Sequence, residues 1–171
     1  MSSSSSETLA VYPGSFDPIT LGHEDIARRT LHLADRLIIA VAETATHRKQ
    51  SLFSVPERVA LLSEVFAGED RIQCVSFSGL LMDFARKSQA HCIIRGLRAV
   101  SDFEYEFQMA QMNRELWPEV ETVFLTPDTH LSFLSASLVR EVAALGGDVS
   151  SFVSPLVLEA MKTKLSARGP K

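Results

Sequence analysis

The sequence predicts a doubly wound, Rossmann-like α/β fold: a single five-stranded parallel sheet with helices on both faces. Three observations carry this expectation. Five short apolar runs alternate with stretches of helical spacing. The runs are apolar nearly throughout rather than cleanly alternating, as expected of strands buried on both faces. The helical stretches carry recognisable start or stop residues.

The expected strands are TLAVYPG (8–14), RLIIAVA (36–42), RIQCVSF (71–77), HCIIRG (91–96) and VETVFLT (120–126). The expected helices span 22–34, 55–67, 79–89 and 101–117, with two more at 135–146 and 155–166 after the last strand. Pro56 and Glu57 after Ser54 suit a first helical turn, Ser101-Asp102 precede a run containing Phe103 and Phe107, and Pro155 follows Ser154. Gly68 and Gly146-Gly147 are stop signals. Strand and helix alternating this way imply right-handed crossovers, so ligands are expected beyond the carboxyl ends of the strands.

The chain has 171 residues, enough for one domain with a sizeable core. The expected division is a leader over 1–7, one domain over 8–166 and a tail over 167–171. Met1 and the serines that follow it lack the basic and apolar regions of a secretory signal, and are expected to be disordered. With 17 basic and 21 acidic residues, the net charge of −4 makes nucleic acid a poor partner. The longest apolar run, 37–42, is far short of the roughly 20 residues that span a bilayer, so no membrane role is expected. Cys74 and Cys92 lie in apolar segments without metal or disulfide spacing, which favours the cytoplasm.

Three strand-end segments carry the chemistry. The first strand runs into YPGSFDPITLGH (12–23). Here Gly14 is expected to take backbone geometry closed to other residues, Ser15 offers a hydroxyl, and Gly22 opens the start of the helix bearing His23. Free N–H groups at that helix start suit an anion, and a histidine there can donate to a phosphoryl oxygen. As turn chemistry alone, Gly and Pro shape the loop and His23 caps or packs; Asp17, before Pro18, orders the turn. Neither GxxxxGK[ST] nor GxGxxG is present, so a different nucleotide site is implied. The fourth strand ends in Arg95-Gly96-Leu97-Arg98, a natural phosphate clamp, or else two arginines paired with Asp102, Glu104 and Glu106. The third segment, Leu131 to Arg140, opens a helix with small polar residues, where Ser135 or Ser137 also serves as an N-cap. Together the three point to a triphosphate.

These segments resemble phosphopantetheine adenylyltransferases of the bacterial type, a family of the nucleotidyltransferase superfamily marked by (H/T)xGH. YPGSFDPITLGH, IIRGLRAVSDFEYEFQMAQMN and SFLSASLVREVA match in order and spacing, and the resemblance runs from about Leu9 to about Leu165. It implies transfer of AMP from ATP to 4′-phosphopantetheine, giving 3′-dephospho-coenzyme A and pyrophosphate by direct in-line attack. By the same resemblance His23, a basic-loop lysine and Arg98 are catalytic. Ser15, that same lysine, Leu81 and Arg95 bind the acceptor. Ser15, Phe16, His23, Gly96, Leu97, Arg98, Glu106 and the segment Leu131, Ser132, Phe133, Leu134, Ser135, Ala136 and Ser137 bind ATP. Aligning backward from Leu52-Phe53 selects Lys49 as that lysine, forward from Ala42 selects His47, and Arg48 lies between them. Mg²⁺ is expected with the triphosphate, without a named ligand. A homohexamer and feedback by coenzyme A are further implications. The Phe, Tyr and Met residues of 101–117 face several directions and leave some for a subunit contact. Alternatives are another nucleotidyltransferase with a different acceptor and a non-catalytic nucleotide-binding regulator.

Overall fold

A computed structural model describes residues 7–43, 51–98 and 100–168. Most of the expected leader, the last three residues of the tail, and His47, Arg48 and Lys49 lie outside the described residues.

The strands are β1 (Leu9–Gly14), β2 (Arg36–Ala42), β3 (Ile72–Phe77), β4 (Cys92–Gly96) and β5 (Glu121–Leu125). The helices are α1 (Leu21–Thr30), α2 (Val55–Val65), α3 (Leu81–Lys87), α4 (Val100–Leu116), α5 (Ala136–Ala144) and α6 (Pro155–Arg168). Every neighbouring strand pair is parallel, in the order β3-β2-β1-β4-β5. The chain winds outward one way from β1 and then crosses to β4, so the switch point lies between β1 and β4. A crevice opens there at the carboxyl ends.

Alternation along the central strands divides the apolar residues between two cores. Ala10, Tyr12, Leu37, Ile39, Val41 and Ile94 meet Ile26 of α1, Leu62 of α2, Val139 of α5 and Val157 and Met161 of α6. Val11, Ile38, Ala40 and Ile93 point the other way, to Met82 and Ala85 of α3 and to Trp117 beyond α4. Burial on both faces explains why these strands read as unbroken apolar runs.

α1 ends four residues earlier than its periodicity indicates. The N–H groups of Leu31, His32 and Leu33 donate three residues back, to Arg28, Arg29 and Thr30, so the last turn tightens out of the α-helix. α2 begins with a complete capping box: Ser54 accepts from the Glu57 N–H, and Glu57 accepts from the Ser54 N–H at 2.7 Å. A short 3-10 turn, Thr129–Leu131, follows β5 and was not anticipated.

Candidate active site

The loop after β1 is held by packed rings. Phe16, at φ +45° and 2% exposed, folds back over the loop. Its ring meets Tyr12 edge-on at 5.3 Å and His23 edge-on at 5.2 Å. A Cβ on Gly14 would lie 2.9 Å from two atoms of that ring. This corrects the expectation for Gly14: the left-handed residue is Phe16, and Gly14 is needed for close approach.

The loop delivers the chain to α1 with Thr20 as an extended N-cap and His23 at the third helical position. His23 Nδ1 accepts from the Thr20 N–H at 3.1 Å and lies 3.1 Å from the Thr20 hydroxyl. Accepting there leaves the neutral imidazole with its proton on Nε2, a donor. Burial pushes the His23 pKa down to about 4, with the positive charge of Arg98 acting in the same direction. The ring is therefore a neutral donor throughout the physiological range.

The second wall is the end of β4. Arg95 is bound end to end by Glu106 of α4, Nε to Oε2 and Nη2 to Oε1, each at 2.6 Å, and its Nη1 donates to the Pro13 carbonyl at 3.2 Å. Arg98 pairs with Asp102 at 3.1 Å and donates to the Leu134 carbonyl at 3.2 Å, tying β4 to the start of α5. Gly96 allows α1 to pack this closely, since a Cβ there would lie 2.7 Å from Ile26 Cδ1. The third wall is the entry to α5, where Ser135 is the N-cap and accepts from the Leu138 N–H at 3.1 Å.

These walls enclose a cleft of about 420 Å³, within the range of small-molecule sites. Of the sequence-derived candidates, Ser15, Phe16, His23, Arg95, Gly96, Arg98, Glu106, Leu131, Leu134, Ser135, Ala136 and Ser137 line it. Three do not. The Leu97 N–H extends the sheet by donating to Leu125 at 2.9 Å, the Ser132 hydroxyl donates to Thr129 at 2.9 Å, and Phe133 is 60% exposed with its ring edge-on to Phe152. Leu81 lines an adjoining cavity of about 70 Å³ that shares Arg95 and Glu106 with the cleft. Tyr12, Thr20 and Ile26 also line the cleft without having been named as site residues; Tyr12 and Thr20 lie within YPGSFDPITLGH, and Ile26 follows it on α1. Asp17 departs from its expected turn-ordering role. Its buried carboxylate accepts from the Leu52 and Phe53 N–H groups at 2.9 and 2.8 Å, across to the segment before α2.

Among the described residues no cluster of three or more His, Cys, Asp or Glu could hold a metal ion. Glu106, the one carboxylate among the described lining residues, is engaged by Arg95. Among the described residues the cleft therefore offers no cage of carboxylates for a divalent ion.

A cleft at a sheet switch point, bounded by two helix starts and two arginines, with Thr20-Leu21-Gly22-His23 at the first of those starts, has the form of a site in the (H/T)xGH nucleotidyltransferase class. Residues 11–142 match the cytidylyltransferase-like family model. Curated phosphopantetheine adenylyltransferases are similar along nearly the whole chain. That of Aromatoleum aromaticum is 54% identical over 95% of this chain and 98% of its own length. That of Nitrosomonas eutropha is 56% identical over 90% and 93%, and that of Thioalkalivibrio sulfidiphilus 55% over 93% and 99%. The chain belongs to the phosphopantetheine adenylyltransferase family, within the cytidylyltransferase-like nucleotidyltransferases. Among solved structures, a candidate nicotinate-nucleotide adenylyltransferase from Vibrio parahaemolyticus superposes with a TM-score of 0.69 at 17% identity, covering 91% of this chain and 98% of that one. A lipopolysaccharide core biosynthesis protein from Thermoplasma volcanium gives 0.54 at 21%, covering 71% and 98%. These two likenesses concern the fold.

Proposed function

We propose that the chain transfers the AMP moiety of ATP to 4′-phosphopantetheine, forming 3′-dephospho-coenzyme A and pyrophosphate in coenzyme A synthesis. The observation that carries the chemistry is convergence in one cleft. Neutral His23, Arg95, Arg98 and the starts of α1 and α5 all face the same space.

The triphosphate lies across the two helix starts, where free N–H groups and the helix dipoles favour anions. His23 Nε2–H donates to an oxygen of the α-phosphate, and the bond strengthens as charge grows there in the transition state. Arg98 supplies a fixed positive charge beside it. The acceptor phosphate takes the place of Glu106 on Arg95 and is oriented by the Ser15 hydroxyl. Attack is in line on the α-phosphorus, and pyrophosphate leaves with the electron pair of the broken P–O bond. The acceptor phosphate is already an anion, so positioning rather than a general base is what the site must supply. The pantetheine arm runs toward Leu81 and the adjoining cavity. The basic loop contributes a cation through His47, Arg48 or Lys49, and Leu97, Ser132 and Phe133 border the nucleotide from beside the cleft lining.

A subunit contact, as a homohexamer would need, is supported by the apolar surface of α4, where Phe103, Tyr105, Phe107, Met109, Met112 and Leu116 are exposed. Coenzyme A, sharing the pantetheine arm, would compete with the acceptor. No helix among the described residues is long and apolar enough to cross a membrane, and a cytoplasmic setting suits the two free cysteines.

The test is product identity combined with exchange. Incubation with MgATP and 4′-phosphopantetheine is expected to yield the mass of dephospho-coenzyme A. Labelled pyrophosphate is expected to enter ATP only when dephospho-coenzyme A or 4′-phosphopantetheine is present. Exchange with neither would mean a covalent adenylyl-enzyme.

A further inference from the structure

Behind the cleft lies a buried charge cluster that no step above uses. Asp17 is 3% exposed and Arg58, of α2, 7%. The Asp17 carboxylate, besides accepting from Leu52 and Phe53, lies 4.0 Å from Arg58 Nε and 3.5 Å from Arg140 Nη1. Arg58 donates to three separate groups: the Phe53 carbonyl at 2.9 Å, the Ser15 carbonyl at 2.9 Å and the Ser51 hydroxyl at 3.3 Å. Arg140, of α5, donates to the Asp17 carbonyl and, at 3.3 Å, to the Ser137 hydroxyl. Asp17, Arg58 and Arg140 do not line the cleft, whereas Ser15 and Ser137 do, on separate walls.

A buried carboxylate with two guanidiniums is costly unless every lone pair and N–H is matched, and such a cluster is a weak source of stability. What it supplies is geometry. A guanidinium presents a rigid fork of donors, so one residue can hold several backbone atoms at fixed separations. We propose that Asp17, Arg58 and Arg140 form a positioning cluster that holds Ser15, the segment before α2 and the first turn of α5 in register. The acceptor side and the nucleotide side of the cleft thereby keep a fixed separation. The three residues touch no substrate. Arg58 is the keystone, because among the described residues it alone reaches both Ser15 and the segment before α2 through side-chain donors. The catalytic part of this inference rests on the adenylyl-transfer reading; the structural part does not. In-line transfer is sensitive to such spacing, since about 1 Å of misplacement costs on the order of 100-fold in rate.

The experiment uses Arg58→Lys and Arg140→Lys in the full chain. Lysine keeps the charge but cannot span the same acceptors, and Arg140 is a quarter exposed, so the second variant has room to fold if the first does not. Folding is confirmed by a cooperative melt. Two readouts follow: kcat and KM for both substrates, and hydrogen–deuterium exchange with the wild-type protein alongside. In a folded variant kcat is expected to fall at least 10-fold, with the ATP dissociation constant within about threefold of wild type. Amides of 15–17 and the first turn of α5 are expected to exchange at least 10-fold faster together, while those of β1 and β4 stay protected. Wild-type kcat in a folded variant, or faster exchange confined to 51–54, would overturn the proposal. Wild-type protein without turnover would refute the function instead, and exchange alone would then decide the cluster.

Discussion

Glu106→Gln isolates the pairing that holds Arg95 in the proposed acceptor site. Both Glu106 oxygens lie 2.6 Å from Arg95 nitrogens, with side chains 28% exposed on the arginine and 12% on the glutamate. Fully exposed pairs contribute about 0–1 kcal/mol, and breaking a buried pair costs about 3–5 kcal/mol. This pair lies between, and glutamine keeps one oxygen to accept from Arg95, so the variant is expected to lose about 1.5 kcal/mol. For a chain of this size that is a drop of about 3–6 °C in melting temperature. The same change removes the carboxylate that an incoming phosphate must displace, and about 1.4 kcal/mol recovered on binding is roughly tenfold in affinity. Calorimetric titration with 4′-phosphopantetheine is therefore expected to show tighter binding to the variant, and saturating ligand narrows the melting gap. An unchanged melt with weaker acceptor binding would refute the reasoning, placing Glu106 in direct contact with ligand instead of in competition with it.

Gly14→Ala places a methyl 2.9 Å from the Phe16 ring, which Tyr12 and His23 hem in; overpacking of this kind costs about 1–3 kcal/mol, read by thermal melting, and kcat falls as His23 shifts. The ligand-free protein is expected to lose stability as pH falls from about 6.5 toward 4, because His23, near 6.5 when unfolded, is held to about 4 in the fold. Its contribution is full above 6.5 and gone below 4, about 3 kcal/mol in all, and denaturant titrations across pH should find this dependence flattened in His23→Gln. Phe107→Asp on α4 should lower the mass seen by sedimentation, and an unchanged assembly would remove that face from the subunit contact.

The strands were legible to within one residue at each end, because burial on both faces leaves nothing polar in the runs 37–41 and 10–12. Helix starts were legible where a side chain does the capping, as at Ser54 and Ser135. The end of α1 was not: its last turn tightens through backbone bonds that apolar spacing does not encode. Within the site, motifs found the residues that line the cleft because loop and helix start are contiguous in sequence. They could not find the cluster behind it. Asp17 meets Leu52, Arg58 and Arg140 across 35 to 123 residues, and only the crossover topology brings those segments together. The pairing of Arg95 with Glu106 was legible as an alternative to phosphate binding, and it is the pairing that the structure shows.

The most direct measurement is pyrophosphate release from MgATP at saturating acceptor, in wild type and in His23→Ala. With 4′-phosphopantetheine the wild type is expected to turn over, while pantetheine and nicotinamide mononucleotide stay at background. In His23→Ala the rate is expected to fall by about 100-fold or more, with nucleotide affinity within a few-fold, as for a donor that acts mainly in the transition state. Release with nicotinamide mononucleotide in place of phosphopantetheine, or undiminished turnover without the imidazole, would contradict the account.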